Sequence, residues 1–157
     1  MSDRLRPRIV RGRQSNVTGG SAVHKDALVH HATDTIFSGR NGLRIAATVI
    51  GNPSDPPVML AHGGGQTRHS WHTTTQYLGT HGWYAVSIDL RGHGDSDAPS
   101  RGPYDLRSLV GDLRGFLDRM RIDRAHLVAW STGGDEVTRF AAVAPERVDK
   151  LVYLDAG

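Results

Sequence analysis

Three short stretches carry residue types able to do chemistry. In the first, Ala129-Trp130-Ser131-Thr132-Gly133-Gly134, a serine stands between an apolar run and a helical pattern. Small residues two before and two after it let a strand turn sharply into a helix. Such a turn lifts the Ser131 hydroxyl clear of the backbone, at the positive end of a helix dipole. The pattern is Gly-x-Ser-x-Gly with Ala129 in the first place. Its plain alternative is an ordinary strand-to-helix turn with Ser or Thr as N-cap. The second stretch, His62-Gly63-Gly64-Gly65, also follows an apolar run. Consecutive glycines let backbone N–H groups face a cavity unshielded, as an oxyanion requires. No lysine follows Gln66 and Thr67, so a P-loop is excluded. The alternative is a flexible glycine turn, and His62 reads as a residue holding the loop rather than as a base. The third stretch is Asp89 to Ser96. Its Gly92-x-Gly94-x-x-Asp97 lacks the third glycine of a dinucleotide fingerprint, and the polar linker to Asp105 offers no helix to a pyrophosphate.

The surrounding pattern supplies elements to hold these loops. Leu43–Ile50, Val58–Ala61, Tyr84–Leu90, Ala125–Trp130 and Leu151–Leu154 read as strands, with Thr35–Phe37 pairing as a hairpin beside the first. Ser70–Leu78 reads as a helix stopped near Gly79 and Gly82, and Thr132–Ala144 as a helix ended by Pro145. The clearest helix spans 106–120. There Leu106, Leu109, Val110, Leu113, Phe116, Leu117 and Met120 form one apolar stripe, behind Asp105 as N-cap. Strands alternating with helices predict an α/β fold: a mostly parallel sheet covered by helices on both faces. All three loops then lie at the C-terminal ends of strands, where such sheets place their ligands.

The chain has 157 residues. That length allows one domain of roughly 100–200 residues. The absence of cysteine excludes a disulfide framework, a Cys-ligated metal and a thiol nucleophile, and suits a cytoplasmic setting. No apolar run approaches the ~18 residues of a membrane span, and no secretory leader opens the chain. No metal or cofactor is expected. The net charge of +3 is uneven: residues 1–32 hold six Lys/Arg against two Asp. Residues 1–32 therefore read as a basic flexible arm and 33–157 as the folded domain. No aromatic residue interleaves the arginines to stack bases, so no nucleic-acid partner is expected.

Taken together, the loops resemble those of the α/β-hydrolase fold, in that family's order and spacing. The resemblance covers residues 33–157 and rests on His62–Gly65, Asp89–Ser96, the Ser131 turn and Leu151–Asp155. Ser131 to Gly134 with Glu136 and Val137, and His69 to Trp71, are similar to the esterase/perhydrolase group known as non-haem haloperoxidases. The resemblance implies an α/β-hydrolase-like three-layer sandwich and a small-molecule ester or acyl substrate. It implies Ser131 as nucleophile, the Thr132 N–H as one oxyanion donor, and Gly64 as the second, with Gly65 as alternative. Ser131, rather than an aspartate, argues against the branches that attack with a carboxylate. His62 and Asp89 are implied as structural neighbours of the site. Trp71 and Trp130 either line the pocket or pack in the core.

The family's order is serine, then acid, then histidine. All nine histidines here precede Ser131. Asp155 is the candidate acid, and His93 or His69 the only imidazoles on neighbouring loops that could substitute as base. The expectation is a partial hydrolase domain that is inactive alone. The alternative is a non-catalytic remnant or interaction module. The strand at 151–154, with Lys150 only at its start, is expected to expose an unguarded edge through which the chain self-associates.

Overall fold

The computed structural model describes residues 31–38 and 42–156. The basic arm expected at residues 1–32 falls almost wholly outside them. Six strands form one sheet: β1 (Thr33–Ser38), β2 (Arg44–Ile50), β3 (Pro57–Ala61), β4 (Tyr84–Ile88), β5 (Ala125–Trp130) and β6 (Val148–Leu154). Their spatial order is β1-β2-β4-β3-β5-β6. The first two pair antiparallel with each other, and β2 pairs antiparallel with β4. From β4 onward every pairing is parallel. Among the described residues no helix is long and apolar enough to cross a membrane.

Three helices follow: α1 (His72–Thr80), α2 (Leu106–Met120) and α3 (Gly133–Val143). The apolar stripe of α2 seats Leu113, Phe116 and Leu117 in the core, where Phe116 meets Phe37 of β1 edge-on. Asp105 caps α2 by accepting the Ser108 N–H. Alternation along the strands separates the faces. Ile45, Ala47, Met59, Ala61, Val86, Ile88, Leu127 and Ala129 join the core formed with α2 and α3. Ile50 points the other way, onto α1.

Two expectations require correction. The helix expected from Ser70 begins later: Ser70 and Trp71 lie in a 3-10 turn at Arg68–Trp71, and α1 starts at His72 and ends at Thr80, between Gly79 and Gly82 as expected. Gly79 also lets α1 lie against β2, because a Cβ there would stand 2.6 Å from Ile50 Cβ. The last strand begins at Val148, so Asp149 and Lys150 lie within it. Both charges stand at the start of this longer edge strand, before Leu151–Leu154.

Candidate active site

Ser131 sits where β5 ends, one residue before the N-cap of α3. Its φ is +51°, a left-handed value that a non-glycine residue adopts only under constraint. Two features supply the constraint. The Ser131 N–H reaches the Leu154 carbonyl of β6 at 3.4 Å, and its own carbonyl accepts the Gly134 N–H at 2.8 Å. Glycine is required beyond the turn: a Cβ at Gly133 would stand 2.8 Å from the His62 carbonyl oxygen. The hydroxyl-bearing residue is thereby left exposed at the C-terminal edge of the sheet.

The glycine loop after β3 lies directly alongside. A Cβ on Gly63 would be 3.0 Å from Ser131 Cβ, and one on Gly64 would be 3.5 Å from Thr132 Oγ1. The structure therefore brings Gly64 and Thr132 together beside Ser131. Among the described residues neither Gly64 N–H nor Thr132 N–H has a hydrogen-bond acceptor. The Gly63 N–H is taken by Gln66 Oε1 at 3.1 Å, and the Gly65 N–H by His93 Nε2 at 3.3 Å. Two free donors next to an exposed serine can receive an oxygen that gains negative charge.

His62 is fully buried and committed at both nitrogens. Nδ1 donates to the Gly63 carbonyl at 2.7 Å, and Nε2 accepts the Leu90 N–H at 3.0 Å. Burial holds its pKa below the ordinary imidazole value, which keeps this neutral tautomer. Asp89 is also fully buried, and it anchors the third loop. Its carboxylate accepts from the N–H of Arg68 at 2.6 Å and of Asp95 at 2.9 Å, and pairs with the Arg68 guanidinium. A Cβ at Gly94, whose φ is +52°, would press to 2.7 Å from Asp89 Oδ1. Ser96 ties the same loop to β2 by donating to the Asp89 carbonyl and accepting the Ala46 N–H.

Trp71 is buried, its indole N–H without an acceptor among the described residues. Trp130 is partly exposed, in register with Leu154. Asp155 follows β6 with a left-handed φ of +46° and is exposed. His69 is exposed and makes no hydrogen bond to Ser131. Among the described residues no group of three or more His, Asp or Glu could hold a metal.

Three side chains were given no structural role by the sequence reading. Arg68 is a buried cation that also reaches Thr48 and Asp95, and nothing in its local spacing signals burial. Gln66 closes the glycine loop. Glu136, one turn into α3, is fully buried with Oε2 unpartnered. Burial and the nearby Asp112 charge push its pKa up to about 8, against the pull of Arg91.

The family model described as alpha/beta hydrolase fold matches residues 56–156. Epoxide hydrolase 2 of Siraitia grosvenorii is 38% identical over 115 residues, which is 73% of this chain and 36% of that protein. A non-heme chloroperoxidase of Streptomyces lividans is 35% identical over 64% of this chain and 36% of its own length. The crystal structure of epoxide hydrolase VrEH1 from Vigna radiata superposes with a TM-score of 0.74 at 28% identity, covering 78% of this chain and 39% of that one. The chain thus spans a little over a third of the length of the relatives it matches. With the strand order, the Ser131 turn and these likenesses in agreement, the chain belongs to the α/β-hydrolase family, to whose N-terminal portion it corresponds.

Proposed function

We propose that Ser131 is the nucleophile of a hydrolase acting on an ester or similar acyl substrate, with the N–H groups of Gly64 and Thr132 receiving the oxyanion. The observation that carries this reading is the left-handed, exposed serine between β5 and α3, beside two unpartnered amide donors. In the proposed step Ser131 Oγ bonds to the carbonyl carbon while a base takes its proton. The carbonyl electron pair moves onto oxygen, between the two amides. Collapse then breaks the bond to the alcohol, which leaves with the proton, and water later releases the acid by the same route. Each amide of such a pair is worth about 10²–10³ in rate.

In this reading neither His62 nor His93 is the base. His62 and His93 are each committed at both ring nitrogens, and no histidine follows Ser131. The proposal therefore places the base on a segment outside this chain and leaves Asp155 as the acid that this chain can offer. A cytoplasmic setting belongs to the same proposal and rests on the lack of cysteine.

The names of the relatives favour a second reading, epoxide opening. Serine chemistry weighs against it: an alkoxide opening an epoxide forms an ether that water does not cleave, whereas an acyl-serine is hydrolysed. The third reading, a non-catalytic module that keeps the fold, makes no use of the strained serine.

Hydrolysis of a short-chain aryl ester by the chain, with free imidazole added as a replacement base, tests the proposal. The expected result is slow turnover above the imidazole background that Ser131→Ala removes. A rate unchanged in Ser131→Ala overturns the assignment, and diol formation from an aryl epoxide without Ser131-dependent ester turnover favours the second reading. Where a histidine-bearing segment completes the fold, Ser131→Ala should cost about 10³-fold or more.

A further inference from the structure

The three glycine amides after β3 have three different fates, and one side chain decides between two of them. His93 stands between Gly92 and Gly94, whose φ values of +77° and +52° curl the loop after β4 back toward the glycine loop. His93 Nδ1 lies 3.1 Å from the Arg91 carbonyl, which can only accept, so Nδ1 carries the proton. Nε2 is then a bare acceptor, and the Gly65 N–H donates to it at 3.3 Å. Both contacts demand the same neutral tautomer. His62 makes the reciprocal tie. It donates within the glycine loop and accepts from Leu90 on the other loop, with the two rings 5.0 Å apart.

We propose that His93 is a positioning residue for the oxyanion site: by accepting the Gly65 N–H it withdraws that amide and leaves Gly64 to pair with Thr132. This inference rests on the acyl-transfer reading and adds to it the choice of donor. A triple-glycine loop has no side chain to set which amide faces the serine, and Gly65 at φ +72° has open space around the position of a Cβ. Without an acceptor at 93, the Gly65 N–H is unpaired and free to turn toward the same oxygen, so the loop loses its single register.

Water–amide exchange measured by NMR on the full chain tests the tie without any activity. The Gly65 amide should exchange at least tenfold more slowly than that of Gly64. In His93→Phe, Gly65 should rise to the Gly64 rate, while the Leu90 amide, held by His62, stays slow and reports an intact fold. In His93→Gln, whose carbonyl oxygen can accept at similar reach, Gly65 should slow again. Nitrogen chemical shifts should show the wild-type His93 ring protonated at Nδ1. Gly65 exchanging as fast as Gly64 in the wild-type chain overturns the proposal without any variant, and so does Gly65 protection that survives in His93→Phe. In the imidazole-supplemented ester assay, His93→Phe should lower kcat about tenfold with KM little changed, and His93→Gln should restore it. Slow Gly65 exchange with no Ser131-dependent turnover would sink the acyl-transfer reading while upholding the tie.

Discussion

One row of side chains crosses the sheet on the face that carries α1. Thr48, Ser87, Leu60, Val128 and Val152 stand in register from β2 to β6. Ser87 and Leu60 are sealed, at 1% and 0% exposure; Val128 is half-buried, and Val152 reaches 43%. The adjacent row on the opposite face runs through Ala47, Ile88, Ala61 and Ala129, all buried, to Tyr153. Tyr153 remains partly exposed, but its hydroxyl shares a 2.7 Å hydrogen bond with Thr138 of α3. The β2-β4-β3 half is therefore covered on both faces, while the β5-β6 half has a helix on one face only among the described residues. Ser131 sits at the end of β5, on the border between them. The covered half holds the glycine loop, through His62, Asp89 and Arg68, and the barer half carries Ser131 and Thr132.

The largest effect should come from matched deletions along that row. Leu60→Ala removes a side chain with no exposed surface and is expected to cost about 2–5 kcal/mol. Val152→Ala, in the same row and face, should cost within about 0.5 kcal/mol. Urea unfolding of both variants checks this. Equal costs would show that the β5-β6 face is covered in solution.

Next in size is a charge effect inside the covered half. Native Glu136 keeps its proton to about pH 8, whereas an ordinary glutamate releases it near 4.5. Between those values the unfolded chain binds fewer protons than the native one. Stability should therefore fall as pH rises through that window and level off above it. Glu136→Gln cannot ionise, so it should gain a few kcal/mol on the native chain by pH 9 and nothing below pH 4.5. Thermal melts across pH 4–9 decide. Parallel curves for the two proteins would mean that Glu136 is not held protonated.

The smallest change in folding stability, yet a visible change in assembly, is expected from Val152→Lys with Leu154→Lys. Both residues are exposed on β6, on the face shared with Val128 and Trp130. We expect the unmodified chain to self-associate there, and the two lysines to shift it toward monomer by like-charge repulsion. Sedimentation velocity at several concentrations reads the outcome. A concentration-independent monomer in the unmodified chain would remove this expectation, and Lys150 and Asp149 within β6 would account for it.

Local pattern made part of the molecule readable in advance. The stripe from Leu106 to Met120 is the α2 helix residue for residue, because a period of three and four needs only neighbours to define it. The small residues flanking Ser131 marked the turn for the same reason. Gly79 shows where this fails. A glycine near a helix end reads as a stop, and α1 does end one residue later, but the close approach of Ile50 on another element is a second reason for glycine that no neighbour in sequence reveals. Arg68 looks like a surface cation until Asp89, twenty-one residues away, is placed beside it. The strand at Val148–Leu154 looks shorter from its sequence because Asp149 and Lys150 break its apolar run, although Asp149 is paired across to Arg124 and His126.

By itself the sequence determined the alternation of elements, the three loops at strand ends and the serine in its turn, since each depends on residue types within a few positions. It left open whether Gly64 or Gly65 offers its amide. Only the tertiary structure gives the two amides different surroundings, because the acceptor of the Gly65 N–H, His93, stands twenty-eight residues further along and meets Gly65 only when β3 and β4 pair side by side. Hydrogen bonds across that distance follow from how strands are ordered in the sheet, and no local periodicity encodes that order.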